Sequence, residues 1–540
     1  MLDISLLHLC IALGGLCLLY LFSRWTTQQS GLRGPPSPSI FWGVSKMLHQ
    51  ALDPGHLYEA WAKEYGLVYQ ITAALGTPQV IVCDSKAIAY IFSKDAFTFV
   101  RTPGFRAVVE VLIGKGILWA EGESHKRQRK GLNPAFSNSA VQALTGTFFD
   151  VAHKIKASWD VILDSHPTDS EVIIEVQEWM NRAAIDCIGI AGFSHDFNAV
   201  GGESSAAIDA LKSFNEAQFS GLSLLSHLLQ FFIPPLGRLP SRRNLLYRNL
   251  SQFSERILGD LLATTRRERD EILEEKEVKT SAIGLLIKAE RSEGNLHIDE
   301  EEVMAQMKTI LIAGFDPPAT TLVWVLIELS RRLDIQAQLR EELNHFPNAD
   351  PSWEKLQTSF PLLDAVVSEV LRLHPSPPEM TRMAGEDTVL PLNTPIIDAN
   401  GRSIDQIPIS KGTLITLPTQ YLNSLPATWG SDAKEFNPYR WLKGSNKATE
   451  ENVAHRRLLS FGDGTRICLG KAFTLAEMKA VIMVLIRSYS FELPNGPNTK
   501  IERHSSLLPR PKIAGQDGAK VPLRVRRNNN GGSWIRDIYV

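Results

Sequence analysis

Phe461-Gly462-Asp463-Gly464-Thr465-Arg466-Ile467-Cys468-Leu469-Gly470 sets one cysteine in a glycine-flanked loop, and the run that follows, Ala472 to Ile486, has the pattern of a helix. A cysteine at a helix N-terminus has its thiolate favoured by the dipole and by backbone N–H groups without partners of their own. Glycines let backbone amides approach the sulfur, and Arg466 holds a fixed positive fork two residues away. Such a thiolate suits a metal. A lone cysteine among glycines also reads as a small buried hydrophobe, so the choice between the two depends on the rest of the chain.

Outward from the cysteine, further polar patterns recur. Pro361 to His374 reads as a helix with Leu362, Leu363, Val366, Val367, Val370 and Leu371 apolar, and with Glu369 and Arg372 three apart on one face. Phe436-Asn437-Pro438-Tyr439-Arg440-Trp441 supplies another arginine ahead of Cys468. His125-Lys126-Arg127-Gln128-Arg129 places a histidine and an arginine four apart, and Arg382 follows Pro377-Pro378-Glu379. Met304 to Leu333 is the longest helical pattern, with Ala313-Gly314-Phe315-Asp316-Pro317-Pro318-Ala319-Thr320-Thr321 at its middle. Each stretch alone has an ordinary reading as a helix ion pair, a solvated charge or a β-branched packing residue.

In this order and spacing the stretches resemble the cytochrome P450 family. Phe461, Gly464, Arg466, Cys468 and Gly470 fill all five fixed positions of its haem-thiolate pattern, Phe-x-x-Gly-x-Arg-x-Cys-x-Gly. The resemblance covers about residues 34 to 527 and is most like fungal microsomal members, through Asp186-Cys-Ile-Gly-Ile-Ala-Gly-Phe193 and the Phe-Gly-Asp-Gly form of the cysteine loop. It implies haem b, with Cys468 as the axial iron ligand and Phe461, Arg466 and Gly470 around the cofactor. A thiolate in that position pushes electron density onto the iron and favours O–O cleavage. His125, where the family more often has Trp, would meet a haem propionate together with Arg129 and Arg382, arginine being the expected partner of a carboxylate. Glu369, Arg372 and Arg440 would form a structural clasp on the cysteine loop. Tyr439 departs from the family's frequent Glu, with little consequence expected.

The middle of the long helix resembles the family's oxygen-binding pattern, Ala/Gly-Gly-x-Asp/Glu-Thr-Thr. Ala313, Gly314 and Asp316 match, but both threonines are proline. Pro317 and Pro318 remove the N–H donors to the carbonyls of residues 313 and 314 and should kink the helix. The family's first threonine hydroxyl helps deliver protons, and Pro317 has none. Asp316, with water or with Thr320 one turn on, is the expected substitute.

Residues that would share one haem run from His125 to Cys468, so one large domain is expected in place of the three or four that 540 residues would otherwise suggest. The fold class is mainly α (α+β), a P450-like helical domain with small sheets, one of them in residues 66–84 continued by 379–418. Apolar residues make up 44% and charged residues 21%, ordinary for a chain with a sizeable core. A net charge of −2 asks for no nucleic acid, and five scattered cysteines argue against a disulfide framework or a zinc site.

Ile4 to Phe22 is an apolar run interrupted only by Ser5 and His8, long enough to span a bilayer. Arg24 and Arg33 follow it and Asp3 precedes it, which puts the main domain on the cytosolic side. The expected organisation is a retained anchor at 1–24, a basic, proline-rich linker at 25–38, the catalytic domain at 39–527 and a tail at 528–540. The resemblance implies a single-pass protein of the endoplasmic reticulum membrane. The run RRERDEILEEKEVK from Arg266 reads as a solvated helix face.

By resemblance, substrate contacts fall in Phe105–Leu118, Phe214–Pro235, Ser376–Met380 and Ser505–Leu508. These stretches are apolar and suit a lipophilic terpenoid, sterol-like or fatty substrate, as in secondary metabolism. Electrons would come from an NADPH-dependent reductase, with cytochrome b5 as an optional second donor. Lys126, Arg127 and Lys130 would form a basic docking patch for that partner. The function expected is hydroxylation or epoxidation by a monooxygenase. Two alternatives differ in class. One is an isomerase or dehydratase needing no external electrons, suggested by Pro317; the other is a haem or ligand-binding protein without turnover.

Overall fold

Thirty-two residues, Glu300–Arg331, form one helix about 48 Å long through the middle of the protein. Asp299 caps it, its Oδ1 accepting from Glu302 N at 2.7 Å, and Glu300, Glu301 and Glu302 occupy the positive end of its dipole. The helix is apolar all round and therefore suits an interior position. Although it is long and apolar enough to cross a membrane, 72% of its apolar window is buried within the chain. Both prolines lie inside the helix, which continues past them to Arg331.

The computed structural model describes residues 31–39, 41–51, 53–166, 171–202, 242–271, 281–291, 297–346, 349–442, 458–504 and 508–528. The expected anchor at 1–24 and the Phe214–Pro235 stretch lie outside them.

The helices Thr145–Asp164, Val176–Phe193, Pro361–Leu373 and Lys471–Ser488 pack with the central one into a single apolar core. At the closest crossing a Cβ on Gly314 would stand 2.5 Å from Ile188 Cγ1, so a glycine is needed there for helix packing.

In chain order the strands are β1 (Val68–Thr72), β2 (Pro78–Val82), β3 (Phe99–Val100), β4 (Val172–Glu175), β5 (Met380–Ala384) and β6 (Thr388–Ile397). They continue with β7 (Ser403–Ile409), β8 (Leu414–Leu417), β9 (Tyr489–Glu492), β10 (Ile501–His504), β11 (Arg510–Ile513) and β12 (Pro522–Arg527). The expected sheet from 66–84 and 379–418 is present as β1-β2-β8-β5-β3, over a second, smaller core. Alternating Val68, Val80, Val82 and Ile415 supply its buried face. The sheet β4-β12-β9 joins strands more than three hundred residues apart in sequence.

Three stretches behave differently from the sequence reading. Arg33 and Gly34, assigned to a linker, lie against β1: Arg33 O accepts from Gln70 N at 2.9 Å, and a Cβ on Gly34 would meet Gln70 O at 1.7 Å. Asn528, assigned to the tail, is tied down, its N–H donating to Ser488 O at 2.9 Å. Arg266, read as part of a solvated run, bridges Glu290 at 2.5 Å and Glu300 at 3.0 Å at the foot of the central helix. Ion-pair partners distant in sequence cannot be seen from local charge density.

Candidate active site

The cysteine loop is a tight backbone structure. Gly462 and Gly464 have φ of 68° and 65°, in the region that favours glycine, and Cys468 N–H closes the loop on Phe461 O at 2.8 Å. A Cβ on Gly464 would stand 2.1 Å from Phe92 O, so the loop sits directly on the helix Ser85–Ser93. Thr465 Oγ1 donates to Asp95 O at 2.7 Å and fixes the next residue.

Behind the loop, Lys471–Ser488 begins with Gly470 as its N-cap. Cys83 and Cys187 are buried, whereas Cys468 is exposed. Burial nonetheless raises the Cys468 thiol, against the pull of the Gly470 N–H, Arg129 and Lys471. The residue is accessible, yet its sulfur is crowded by neighbouring protein atoms. The thiolate expected from the helix terminus is thus not reached by the protein's own groups, and a bound metal ion would supply the missing charge. No described residue occupies the space a Cβ on Gly470 would take, so the loop leaves room on that side for a ligand.

Beside the cysteine lies a cluster of buried charge. Arg382 grips the buried carboxylate of Asp95 with Nε and Nη2, each at 2.8 Å. Arg466 reaches Ala120 O at 2.7 Å, pairs with Glu121, and lies 3.5 Å from Asp95 through Nε. Arg101 donates its backbone N–H to Glu121 at 2.8 Å, and its guanidinium feels both carboxylates. Arg129 completes the cluster between His125 and Cys468.

Burial tends to raise Asp95, but Arg382, Arg101 and Arg466 outweigh it and hold the carboxyl below its usual range. Burial, Arg466 and Arg129 push His125 down to about 4, so it is a neutral ring at physiological pH. Four guanidiniums therefore face two carboxylates, which leaves two positive charges in excess. Arg101 Nε and Arg466 Nε also make no hydrogen bond among the described residues. Two added carboxylates would neutralise the cluster and supply acceptors. Haem, with two propionates and an iron that takes a thiolate, fits these residues.

Arg382, expected to serve a propionate, spends two donors on Asp95 and one on Thr381 O at 3.2 Å, leaving one N–H on each terminal nitrogen. Asp95, Arg101 and Glu121 were missed in the sequence because nothing local marks them; only the fold brings them beside Arg466. Phe461 is half-buried at the start of the loop, with Lys471 Nζ 5.7 Å from its ring centroid.

The clasp residues meet. Glu369 and Arg372 are fully buried, joined at 2.8 Å through both oxygens, and Arg440 Nε reaches the same carboxylate at 3.0 Å. Trp441 Nε1 at 2.9 Å and Asn437 N at 3.0 Å complete its shell. Arg372 also donates to the carbonyls of Asn423 and Ala433, at 2.8 Å and 2.5 Å. Asn423 holds the entry to the cysteine loop, its amide bonding Ser460 Oγ at 2.9 Å and Leu459 N at 3.1 Å. Tyr439 stands apart, bonding Gln338 at 2.6 Å.

On the central helix, Ala313 is exposed and Pro317 half-buried, whereas Asp316, Thr320 and Thr321 are buried. The less buried face of the helix at this level thus carries an alanine and a proline. Asp316 is ion-paired with Arg510 of β11, a residue sequence reading missed. Thr321 Oγ1 is committed to Pro317 O at 2.8 Å, and Thr320 Oγ1 has no hydrogen-bond partner among the described residues. Burial raises the Asp316 carboxyl, although Arg510 opposes that rise.

Arg127 does not belong to a free docking patch. It donates to Glu302 Oε2 at 2.9 Å and to the His297 carbonyl, tying the helix Gly122–Leu132 to the start of the central one. Lys126 and Lys130 remain exposed. The Phe105–Leu118 stretch packs on the central helix, where Ile117 N donates to Gln306 Oε1 at 3.1 Å.

The cytochrome P450 family model matches residues 33–514. Cytochrome P450 monooxygenase claP of Ampulloclitocybe clavipes is 49% identical over 502 residues, covering 92% of this chain and 93% of its own. Cytochrome P450 monooxygenase claU of the same fungus is 47% identical over 524 residues, 94% and 97% of the two chains. Cytochrome P450 monooxygenase 128 of Postia placenta is 30% identical over 523 residues, 93% and 94% of the two chains. The chain belongs to the cytochrome P450 family and is a monooxygenase, an oxidoreductase. These relatives lend nothing to the isomerase or dehydratase reading.

Proposed function

We propose that this monooxygenase hydroxylates or epoxidises a lipophilic small molecule of secondary metabolism, using haem b, dioxygen and electrons from an NADPH-dependent reductase. The observation that carries the reading is an accessible Cys468 in a glycine-flanked loop beside a buried cluster with two positive charges in excess. Haem, when bound, would supply the dioxygen chemistry, and Cys468 is the residue that would hold its iron.

The chain's own residues do the rest. Arg129, Arg466 and Arg101 would hold the propionates, with His125 as a neutral N–H donor and Arg382 contributing its remaining N–H groups. Gly470 N–H donates toward the sulfur and tempers its charge. Glu369, Arg372 and Arg440 fix the loop through Asn423 and Ser460. Ala313 and Pro317 make the less buried face of the central helix apolar, which would help to exclude water beside a bound haem. Asp316 carries protons, and the Thr320 hydroxyl, buried and without a hydrogen-bond partner among the described residues, is available to a bound water.

The test is mass spectrometry of products formed under ¹⁸O₂ by the purified protein with a reductase and lipophilic candidates. Label in the product supports the reading. A rearranged, unlabelled product formed equally well without the reductase overturns it. A membrane anchor at 1–24 and residence in the endoplasmic reticulum membrane belong to the same proposal. Removing residues 1–24 should release a haem-loaded protein from the membrane fraction; unchanged sedimentation with membranes would show that another surface holds it there.

A further inference from the structure

Arg510 is fully buried in β11, and a charge there needs a partner. Its partner is Asp316, reached through Nη2. On the other terminal nitrogen, Nη1 donates to Asn181 Oδ1 at 3.3 Å, and Gln177 Nε2 donates to the same oxygen at 3.1 Å. A polar string thus runs from Asp316 through Arg510 and Asn181 to Gln177, in the first turn of the helix Val176–Phe193, next to Glu175 and Glu178. It crosses an otherwise apolar contact, with the Arg510 guanidinium 5.8 Å from the Phe315 ring centroid.

Three buried polar atoms along this string or beside it make no hydrogen bond among the described residues: Arg510 Nε, Gln177 Oε1 and Thr320 Oγ1. Orphaned buried polar atoms are rare in folded proteins, and bound water is their usual partner. Pro317 itself offers no hydroxyl, and Thr321 Oγ1, one turn on, is committed to Pro317 O at 2.8 Å. The acid and two of the orphaned atoms, Arg510 Nε and Gln177 Oε1, lie along the string that leads from Asp316 through β11 to Gln177.

We propose that Arg510 is a positioning residue for the monooxygenase reaction, holding the Asp316 carboxylate on the β11 side of the central helix at the head of a string of bound waters along Asn181 and Gln177. This rests on the monooxygenase reading. Arginine stays protonated and passes no proton itself. Its charge keeps Asp316 ionised, so that the carboxylate accepts a proton from a water of the string; one water O–H bond breaks and one carboxyl O–H bond forms. Asp316 then passes that proton on to the reaction, and the next water restores the string.

The experiment compares the wild type with Arg510→Met, Arg510→Lys, Asp316→Asn and the Arg510→Met/Asp316→Asn double variant, all haem-loaded. Infrared difference spectroscopy reads the protonated carboxyl C=O stretch, independently of turnover. Arg510→Met should show at neutral pH a carboxyl band that is absent from the wild type and from the double variant. Arg510→Lys should show none. In turnover, Arg510→Met should lower product formed per NADPH by about tenfold. In the Asp316→Asn background the same change should have less than about a twofold effect, since it acts through Asp316.

A band unchanged by Arg510→Met, or an equal loss of coupling with and without Asp316, overturns the proposal. Should Arg510→Met not fold, Arg510→Lys decides: it keeps the charge but loses the bond to Asn181. It should stay silent in the infrared while its coupling falls, and wild-type coupling would overturn the proposal. Failure of the monooxygenase reading would appear separately, as absence of labelled product from the wild type.

Discussion

Glu369→Gln should weaken the hold on the cysteine loop more than it weakens the fold. Three N–H groups converge on Glu369 Oε1, from Arg372, Arg440 and Asn437, and two on Oε2, from Arg372 and Trp441. Whichever way the glutamine amide turns, its NH₂ faces at least two donors that it cannot accept from. Arg372 also loses the one carboxylate partner it has among the described residues, while Arg440 keeps Asp432 at 3.1 Å. Two stranded donors at about 1–3 kcal/mol each, with one uncompensated buried charge, give a loss of about 3–5 kcal/mol.

An unfolding entropy of about 2.1 cal/mol/K per residue, taken over 540 residues, turns that loss into a fall in Tm of only about 3–4 °C. The local effect should be larger, because Arg372 donates to the Asn423 carbonyl and Asn423 holds Leu459 and Ser460 at the loop entry. The assay is a thermal melt together with the carbon monoxide difference spectrum of the reduced protein, which distinguishes thiolate-bound from thiolate-free iron. Most of the variant should have lost the thiolate spectrum at temperatures where the fold survives. Tyr439→Phe, which removes the hydroxyl bond to Gln338 and keeps the ring on the core, serves as control and should leave both readouts within error. A Glu369→Gln protein with wild-type Tm and a full thiolate spectrum would refute the reasoning.

Gly464→Ala should abolish haem retention, because its Cβ would lie 2.1 Å from Phe92 O at a backbone φ of 65°; the haem-to-protein absorbance ratio checks this. His125 has its folded-state pKa at about 4, below the ordinary 6.5, so unfolding takes up a proton between these values. Stability should therefore fall as pH drops from 6.5 toward 4, by up to about 3 kcal/mol from this residue. A matched urea titration should find that Phe at position 125 removes that part of the slope. Pro317→Thr places a hydroxyl at a half-buried position on the less buried face of the central helix and should raise product formed per NADPH. Unchanged or lower coupling would mean that protons arrive by another route, as the Arg510 string would allow.

Local chemistry explains what was readable beforehand. The loop around Cys468 is encoded by glycines whose backbone demands are met within ten residues, and Glu369 and Arg372 face one another through helix periodicity alone. Arg440 could be added by resemblance, but Trp441 and Asn437 could not, because their N–H groups matter only once the chain wraps around the carboxylate. In the same way, Arg382 looked free for a propionate because Asp95 lies almost three hundred residues before it. Arg127 looked solvated because Glu302 lies on a different helix.

The deepest change concerns Asp316. The sequence by itself determined the mainly helical class, the sheet from 66–84 and 379–418, the glycine-flanked cysteine loop, and the absence of an alcohol at residue 317, since periodicity, glycine conformation and residue identity are local properties. Tertiary structure alone decided which way the acid faces. Helix periodicity puts Asp316 and Thr320 near one another, but the buried charge of Arg510, delivered by a strand almost two hundred residues later, settles the direction of the carboxylate. A buried charge takes its partner from whatever the fold brings beside it, and no local pattern records that choice.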